Sequence, residues 1–325
     1  MTTGKTALPL HIVGRFDDPH TGAERSLPDL AGALKGRREV CLWSDVAPHP
    51  YFLQRGVRLM TPEQHPVGGD LLIGGVHVQL GEWLAQAQPQ HVNLRYNLPN
   101  HQRLFDAITR IRDVTDVEPE LIFVSQSMQL SVGLPGRVEP SLIRIDPFLQ
   151  AVLPRSHDRP LTIGRMSRDV PGKHSPEDPA LYRMLAARGF RVRVMGGMCL
   201  QPWLQGVSGV ELLPVGAEPA PEFLASLDVF FYRTGSFIEP YGRVVMEAMA
   251  SGLVVVAAAN GGFAEQITQG VDGFLVQQQE QSLQLLQALA QSAETRATVG
   301  QAARQRAVQV HGAQAFERTV RNYLG

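Results

Sequence analysis

Two carboxylates separated by seven residues, Glu239 and Glu247, are the residues best placed to do chemistry. They lie in the stretch "FIEPYGRVVMEAMASGLVVVAAANGGFAEQI", where the pattern predicts a loop that enters a short helix ending at Gly252. A carboxylate outside a helix start and another in its second turn can both face a ligand held there. The free N–H groups and the helix dipole favour an anion such as a diphosphate. The stretch therefore predicts recognition of a phosphate-bearing, hydroxyl-rich molecule such as a nucleotide sugar.

Several short motifs follow one another around these glutamates. "EPYG", "EAMASGLVVV", "GGFAE" and "GVDGFLV" occur in this order between Asp228 and Val276. In order and spacing, this region resembles the C-terminal half of the family-4 retaining glycosyltransferases of GT-B fold. The resemblance implies an α/β protein with two Rossmann-like domains, whose parallel sheets face an interdomain cleft. It also implies metal-independent transfer of a sugar from a nucleotide-sugar donor with retention of configuration.

The hydrophobic pattern agrees with two α/β domains, because apolar runs alternate with helical patterns. We expect six strands in each half; they are centred on "LPLHIV", "EVCLW", "DLLIGG", "HVNLRY", "LIFVS" and "SLIRI", then on "LTIG", "RVRVMGG", "VELL", "DVFFY", "LVVVAA" and "FLV". A proline-containing segment, Asp146 to Pro160, is the predicted linker. It divides an acceptor-side domain, 1–153, from a nucleotide-sugar-binding domain, 154–325. By the resemblance, the last helix is expected to cross back to the first domain.

A basic pair, Arg165 and Lys173, follows the first strand of the second half in "TIGRMSRDVPGK". Lys173 is one of only three lysines in the chain. The resemblance implies that this pair grips the donor diphosphate, whose charge grows as it leaves and is stabilised by fixed cations. Taken alone, the pair is more simply incidental charge in a solvated loop. The chain has no Asp-x-Asp motif, and no metal is predicted.

In the first half, "GRFDDPHTGAERSLPDL" predicts a strand, a loop and a helix that starts around Gly22. It resembles the glycine-containing loop that reaches the reaction centre in the family, which makes Gly22 and Glu24 candidate ligand contacts. Thr21 stands where the family has its first glycine, so close backbone approach at that residue is not expected. The alternative is an ordinary helix start with a glutamate in its first turn.

Two histidines, His77 and His101, follow predicted strands. Loops after the carboxyl ends of parallel strands face the ligand crevice of an open α/β sheet. The resemblance implies a first-domain histidine beside the transferred sugar, and no spacing decides between the two. His91, at a strand start, is a poor candidate. Either histidine can instead be structural.

Further donor contacts are predicted at strand ends and at the helix start of the second half. By the resemblance, Glu239 contacts the hydroxyls of the transferred sugar and Glu247 those of the ribose. The remaining candidates for donor binding are Gly196, Gly197, Val215, Tyr241, Gly242, Arg243, Gly261, Gly262 and Glu265. Glu265 can alternatively serve only as a helix cap.

Composition restricts the class of protein. The formal net charge of −1 gives no overall field that would attract nucleic acid. The two cysteines favour a reduced, cytoplasmic protein, and no apolar run approaches the length of a transmembrane span. Contact with a membrane surface is retained as an alternative. No cofactor is expected: the donor, a UDP- or GDP-sugar, is a substrate, and the acceptor is a glycan, a lipid-linked molecule or a small molecule.

Two other functions remain open at this stage. A sugar-nucleotide epimerase or hydrolase on the same fold would use the cleft carboxylates for proton transfer and would need no acceptor. A non-catalytic partner subunit would bind nucleotide or glycan without turnover.

Overall fold

The computed structural model of the protein describes residues 7–150 and 159–325. The chain divides into two compact units. Unit 1 comprises Met1–Leu142 together with Ala313–Gly325, and unit 2 comprises Ile143–Gly312. The domain boundary predicted at residue 153 lies outside the described residues.

Each unit is built on a parallel sheet with helices between its strands. In chain order the described strands are β1 Leu10–Gly14, β2 Val40–Ser44, β3 Val57–Leu59, β4 Asp70–Ile73, β5 His91–Tyr96, β6 Glu120–Phe123, β7 Arg137–Val138, β8 Thr162–Met166, β9 Arg191–Met195, β10 Val210–Leu213, β11 Val229–Tyr232, β12 Val254–Ala258 and β13 Phe274–Val276. The described α-helices are α1 Gly22–Leu34, α2 Pro50–Leu53, α3 Trp83–Ala87, α4 His101–Thr115, α5 Gln126–Val132, α6 Asp146–Gln150, α7 Asp178–Ala187, α8 Gln201–Leu204, α9 Ala220–Ala225, α10 Arg243–Ala250, α11 Gln279–Gln291, α12 Ala293–His311 and α13 Ala313–Arg321. Among these described helices, none is both long and apolar enough to cross a membrane.

The order of the strands predicts one ligand-binding crevice in each unit. The sheet of unit 1 runs β3-β2-β1-β4-β5-β6-β7, and that of unit 2 runs β10-β9-β8-β11-β12-β13. In unit 1 the order reverses between β1 and β4, and in unit 2 between β8 and β11. Ligands of open α/β sheets bind outside the carboxyl ends of the strands at such switch points. These are therefore the two places where functional side chains are expected to gather.

The strands of unit 2 could be predicted from sequence because they are buried. All six predicted strands of unit 2 are confirmed, and every recorded pairing between them is parallel. Both faces of such a sheet are covered, so its strands are continuous apolar runs. Ile163, Val192, Val229 and Val254 illustrate this, since each is fully buried in the core of the unit.

The prediction of a strand at "SLIRI" is wrong. Residues 141–145 form no ladder, although Leu142, Ile143 and Ile145 are buried. Burial without pairing produces the same apolar run as a strand. Two short edge strands, β3 and β7, were not predicted because they have only three and two residues, and Arg58 and Arg137 leave no continuous apolar run.

The C-terminal segment of the chain is fixed to unit 1 by buried polar contacts. The Tyr323 hydroxyl donates to Glu139 Oε1 at 2.7 Å, and the Arg95 guanidinium pairs with the same oxygen. Both side chains of the ion pair are almost fully buried. Arg38 also donates to the backbone oxygen of Tyr323, at 2.9 Å. Val320 and Tyr323 then join the core of the unit.

Replacing Arg95 by methionine should lower the free energy of unfolding of unit 1 by about 3 kcal/mol or more, because Glu139 then loses its closest cation while remaining buried. Urea denaturation measures the change. Arg112→Met, which breaks an exposed pair with Glu118, is the matched control and should change stability little. Equal losses in the two variants would contradict a structural role for the buried pair.

Candidate functional site

Two loops form the candidate site of unit 2, residues 167–174 after β8 and residues 233–242 after β11. The backbone N–H groups of Gly235 and Phe237 both donate to Gly172 O, each at 3.0 Å. A Cβ at Gly235 would lie 2.4 Å from His174 O, so a side chain at that position would push the loops apart. Close backbone contact therefore holds the loops together at the switch point.

Lys173 and Glu239, one from each loop, form an ion pair. Lys173 Nζ lies 2.5 Å from Glu239 Oε2 and 3.7 Å from the centre of the Phe237 ring. The Lys173 side chain is only 7% exposed. Burial lowers the pKa of Lys173, and the neighbouring carboxylate opposes that shift. The structure thus brings together two of the residues predicted to act at the site.

Tyr232, the last residue of β11, also holds Glu239. Its hydroxyl donates to Glu239 Oε2 at 2.9 Å. Burial raises the pKa of Tyr232 well above its ordinary value, so the hydroxyl stays protonated and remains a donor. Both donors therefore act on Oε2, which leaves Oε1 as the oxygen to offer to a ligand. Sequence reasoning missed Tyr232, because it ends an apolar run that indicates only a buried strand.

Arg165 holds the backbone of the two loops, 167–174 and 233–242, in place. It is fully buried, and its two terminal nitrogens donate to the backbone oxygens of Arg233 at 2.5 Å and Lys173 at 2.6 Å. Its guanidinium also lies 4.5 Å from the centre of the Tyr232 ring. Arg165 therefore fixes the backbone of both loops. Its predicted contact with a diphosphate stays a prediction.

A buried carboxylate, Asp178 at the start of α7, balances this positive charge. Arg233 donates to Asp178 Oδ1 at 2.9 and 2.7 Å, and Arg165 lies 3.5 Å from Oδ2. Burial raises the pKa of Asp178, whereas the two arginines act in the opposite direction. The shared carboxylate stabilises two cations that would otherwise be costly to bury.

A second cation near Lys173 is Arg168, which sequence reasoning did not select. It is half-buried in the same loop, with its guanidinium 5.8 Å from the centre of the Phe237 ring. Its charge contributes to lowering the pKa of Lys173. Arg168 and Lys173 thus present two neighbouring positive charges in one loop.

The predicted helix start is present. Gly242 adopts a left-handed conformation, with φ of 78°, immediately before α10, and a Cβ there would lie 2.6 Å from Phe263 Cβ. Arg243 is the first residue of α10. Glu247 lies in the second turn, half-buried. The helix start therefore has the backbone geometry that the glutamate spacing indicated.

Tyr241 anchors this helix start to α12. Its hydroxyl lies 2.6 Å from His311 Nε2, and both side chains are buried. Burial lowers the pKa of His311 to about 3, so the neutral imidazole nitrogen accepts a hydrogen bond from the Tyr241 hydroxyl. The side chain of Tyr241 is thus used within the protein, and only its backbone could serve a ligand.

The predicted glycine turn after β12 contacts Glu239 directly. Gly262 N donates to Glu239 O at 2.8 Å, and Gly261 has a left-handed φ of 81°. A Cβ at Gly261 would lie 2.8 Å from the same oxygen. Glu265 is exposed in the following 3-10 turn. The turn therefore positions the backbone of Glu239.

The remaining donor candidates in unit 2 lie beside the β8 loop. Gly196 and Gly197 are buried after β9, and a Cβ at Gly196 would lie 1.9 Å from Ser167 O. Val215 is half-buried, with its methyl group 3.3 Å from that same position. Gly196 thus packs closely against the loop that carries Lys173. The contact of all three residues with a nucleotide stays a prediction.

In unit 1 the structure brings Glu24 and His77 together. Gly22 is the first residue of α1, and Glu24 is buried two residues later. His77 Nε2 lies 3.0 Å from Glu24 Oε1. His101, by contrast, is exposed at the first position of α4. Of the two histidine candidates, only His77 is part of a polar cluster with a predicted site residue.

Comparison with known proteins agrees with the site in unit 2. Residues 212–306, which include Glu239 and Glu247, match the family model described as "Glycosyl transferases group 1". The D-inositol 3-phosphate glycosyltransferase of Streptomyces griseus is 42% identical over 67 residues, which cover 21% of this chain. The matched part spans 14% of the length of that curated relative.

Solved structures show a likeness over almost the whole chain. HepE of Anabaena, solved in complex with UDP and glucose, has a TM-score of 0.74 and 17% sequence identity, with coverage of 98% of this chain and 99% of that one. A glycosyltransferase from Rickettsia africae has a TM-score of 0.76 and 14% identity, with 98% of each chain covered. The fold is accordingly GT-B, and residues 212–306 carry the sequence pattern of a group 1 glycosyltransferase domain.

Proposed function

We propose that the protein is a glycosyltransferase in which unit 2 holds a nucleotide-sugar donor. The observation that carries the proposal is the contact of Lys173, Glu239 and Tyr232 at the switch point of a GT-B unit. Glu239 also lies within the segment that matches group 1 glycosyltransferases. HepE, a structural neighbour, has been solved with UDP-glucose, which favours a UDP-sugar over a GDP-sugar as donor.

The proposed chemistry follows from the charges of the site. When the bond from the anomeric carbon to the diphosphate breaks, negative charge grows on the leaving phosphate, and the ammonium of Lys173 stabilises it. Glu239 accepts a hydrogen bond from a hydroxyl of the transferred sugar, and Glu247 does so from the ribose. The acceptor oxygen attacks the same face of an oxocarbenium-like sugar and gives its proton to the departing phosphate. The configuration at the anomeric carbon is then retained.

The acceptor is proposed to be a glycan, a lipid-linked molecule or a small molecule with a free hydroxyl group. A cytoplasmic location belongs to the same proposal. It is supported by the two cysteines, Cys41 and Cys199, which are both free thiols.

The donor site can be tested by ligand-observed NMR with UDP, GDP, dTDP and CMP. We expect one nucleotide, UDP, to bind selectively. Lys173→Ala should raise its Kd by roughly 10- to 100-fold, because a charge-assisted contact is lost. Lys35→Ala, at an exposed residue of unit 1, is the matched control and should bind as the wild type does. If no nucleotide binds, the proposed donor site is wrong.

Substitutions of the two glutamates should affect UDP binding and sugar transfer differently. Glu239→Gln should lower kcat by roughly 10²- to 10³-fold while leaving the Kd of UDP nearly unchanged, since its partner is the transferred sugar. Glu247→Ala should weaken UDP binding as well as transfer, because its proposed partner is the ribose. Titration with UDP measures binding, and release of free UDP together with formation of the glycosylated acceptor measures transfer.

The exposed Glu294→Gln serves as the control for these substitutions. Transfer at the wild-type rate by both Glu239→Gln and Glu247→Ala would contradict the assignment of the site.

Binding of UDP should also depend on pH through Lys173. Its pKa is lowered by burial, so its positive charge is lost as pH rises through values below the ordinary lysine pKa of about 10.4. The affinity for UDP should therefore fall as the pH rises, and the fall should begin below the pH at which an ordinary lysine loses its charge. Lys173→Arg should move this loss to higher pH, because a guanidinium stays protonated. Titration calorimetry between pH 7 and 10 gives the measurement; identical profiles would show that Lys173 does not carry the effect.

A further inference from the structure

The ring of Phe237 contacts two positive charges of the neighbouring loop. Lys173 Nζ lies 3.7 Å from the centre of the ring, and the guanidinium carbon of Arg168 lies 5.8 Å from it. Both distances fall within the roughly 6 Å over which the negative face of an aromatic ring attracts a cation. Phe237 belongs to the loop 233–242, so its ring reaches across to the loop that carries both cations.

The backbone sets the position of this ring. Phe237 N donates to Gly172 O at 3.0 Å, one residue before Lys173. A Cβ at Gly172 would lie 3.7 Å from Phe237 Cβ. The two loops are therefore in contact at the place where the ring meets the ammonium, and the ring is held there before any ligand arrives.

Burial in the core does not explain an aromatic residue at position 237. Phe237 is only half-buried, whereas Phe230 and Phe231 in β11 are fully buried. An aliphatic side chain such as leucine could cover the same partly exposed surface. The ring adds a negative face, which is the part that a cation contacts.

The charges around Lys173 include more positive than negative groups. Its ion-pair partner is Glu239, through one carboxylate oxygen. Burial is the largest influence on the pKa of Lys173 and lowers it, Glu239 raises it, and the charges of Arg168 and Arg165 lower it again. The ammonium therefore needs stabilisation beyond what the one carboxylate gives.

Two other titratable groups border this ion pair, and neither is charged at neutral pH. Burial raises the pKa of Tyr232 well above its ordinary value, and burial lowers the pKa of His174 to about 4. They do not compensate the neighbouring arginines. The face of the Phe237 ring is a further group that stabilises the ammonium of Lys173.

A ring has an advantage over a second carboxylate at this place. A carboxylate would also stabilise the ammonium, but its negative charge would repel an anionic ligand over a long distance. The ring carries no net charge, and it attracts a cation only at short range. The positive charge of Lys173 and Arg168 thus stays available to an anion.

We infer that Phe237 is a positioning residue of the site in unit 2, whose ring keeps the Lys173 ammonium charged and beside Glu239 without adding a negative charge. The same ring contacts Arg168, so one side chain supports both cations. That these cations meet the diphosphate of a donor rests on the proposed function. The action of the ring on Lys173 does not, because it follows from the contact alone.

Titration of the lysine side chains by NMR tests the inference on the full chain. The only lysines are Lys5, Lys35 and Lys173, so labelling lysine with carbon-13 gives few signals, and Lys173→Arg identifies the signal to follow. Phe237→Leu should move the midpoint of the Lys173 titration to lower pH by about half a pH unit or more, as expected for a lost cation–π contact. Phe237→Tyr keeps the ring face and should leave the midpoint near that of the wild type. Phe105→Leu, the same substitution at an exposed phenylalanine of unit 1, is the matched control and should change nothing.

UDP titrations of the same samples separate this inference from the proposed function. At about pH 9, Phe237→Leu should raise the Kd of UDP about threefold or more, because a larger fraction of Lys173 is then uncharged. A shifted Lys173 midpoint in a protein that binds no nucleotide would support the role of Phe237 and overturn the donor site. UDP binding together with the same Lys173 midpoint in the wild type and in Phe237→Leu would overturn the role of Phe237 alone.

A second replacement without a ring, Phe237→Met, distinguishes the loss of the ring from a packing defect particular to leucine. It should shift the Lys173 midpoint in the same direction as Phe237→Leu. Equal shifts in Phe237→Tyr, Phe237→Leu and Phe237→Met would show that packing alone governs the charge of Lys173, and would overturn the inference.

Discussion

The buried guanidinium of Arg165 is the interaction on which the site of unit 2 depends. It joins the backbone after β8 to the backbone after β11, because it donates to the oxygens of Lys173 and Arg233. Asp178 makes its burial tolerable by sharing one carboxylate between two arginines. Without that support, the loops would lose the separation that lets Lys173 reach Glu239. The side chains of Lys173 and Glu239 are thus positioned by the buried charges of Arg165 and Asp178.

The two units use one architectural rule for different chemistry. In each, a parallel sheet reverses its strand order beside its first strand, and polar side chains gather where the strands end. In unit 2 the gathered groups are Lys173 and Arg168 together with Glu239, a set suited to an anion that carries hydroxyl groups. In unit 1 they include Glu24 and His77, whose side chains lie 3.0 Å apart. The sign and type of the side chains, rather than the fold, distinguish the two sites.

Much of this could be predicted from sequence, for physical reasons. Continuous apolar runs predicted the strands of unit 2, and the spacing of Glu239 and Glu247 at a helix start selected Glu239. The resemblance selected Lys173, and positions after predicted strands selected His77 together with His101. The full burial of Arg165 could not be predicted, because it depends on the Arg233 carbonyl and the Asp178 carboxylate, which other segments of the chain supply. Tyr232 was missed because it ends an apolar run, and the contact of its hydroxyl with Glu239 becomes visible only when the fold is known. Burial without pairing made residues 141–145 look like a strand.

The anchoring of Tyr323 in unit 1 has a consequence for the order of events during synthesis. Unit 1 begins with the first strand of the chain, yet its core includes Val320 and its buried Arg95–Glu139 pair includes the Tyr323 hydroxyl. The ribosome must therefore complete all of unit 2 before unit 1 can acquire its last contacts. A nascent chain that stops short of Tyr323 would leave this ion pair without its third member. The unit whose synthesis starts first therefore receives its last segment only after the sequence of unit 2 has been synthesised.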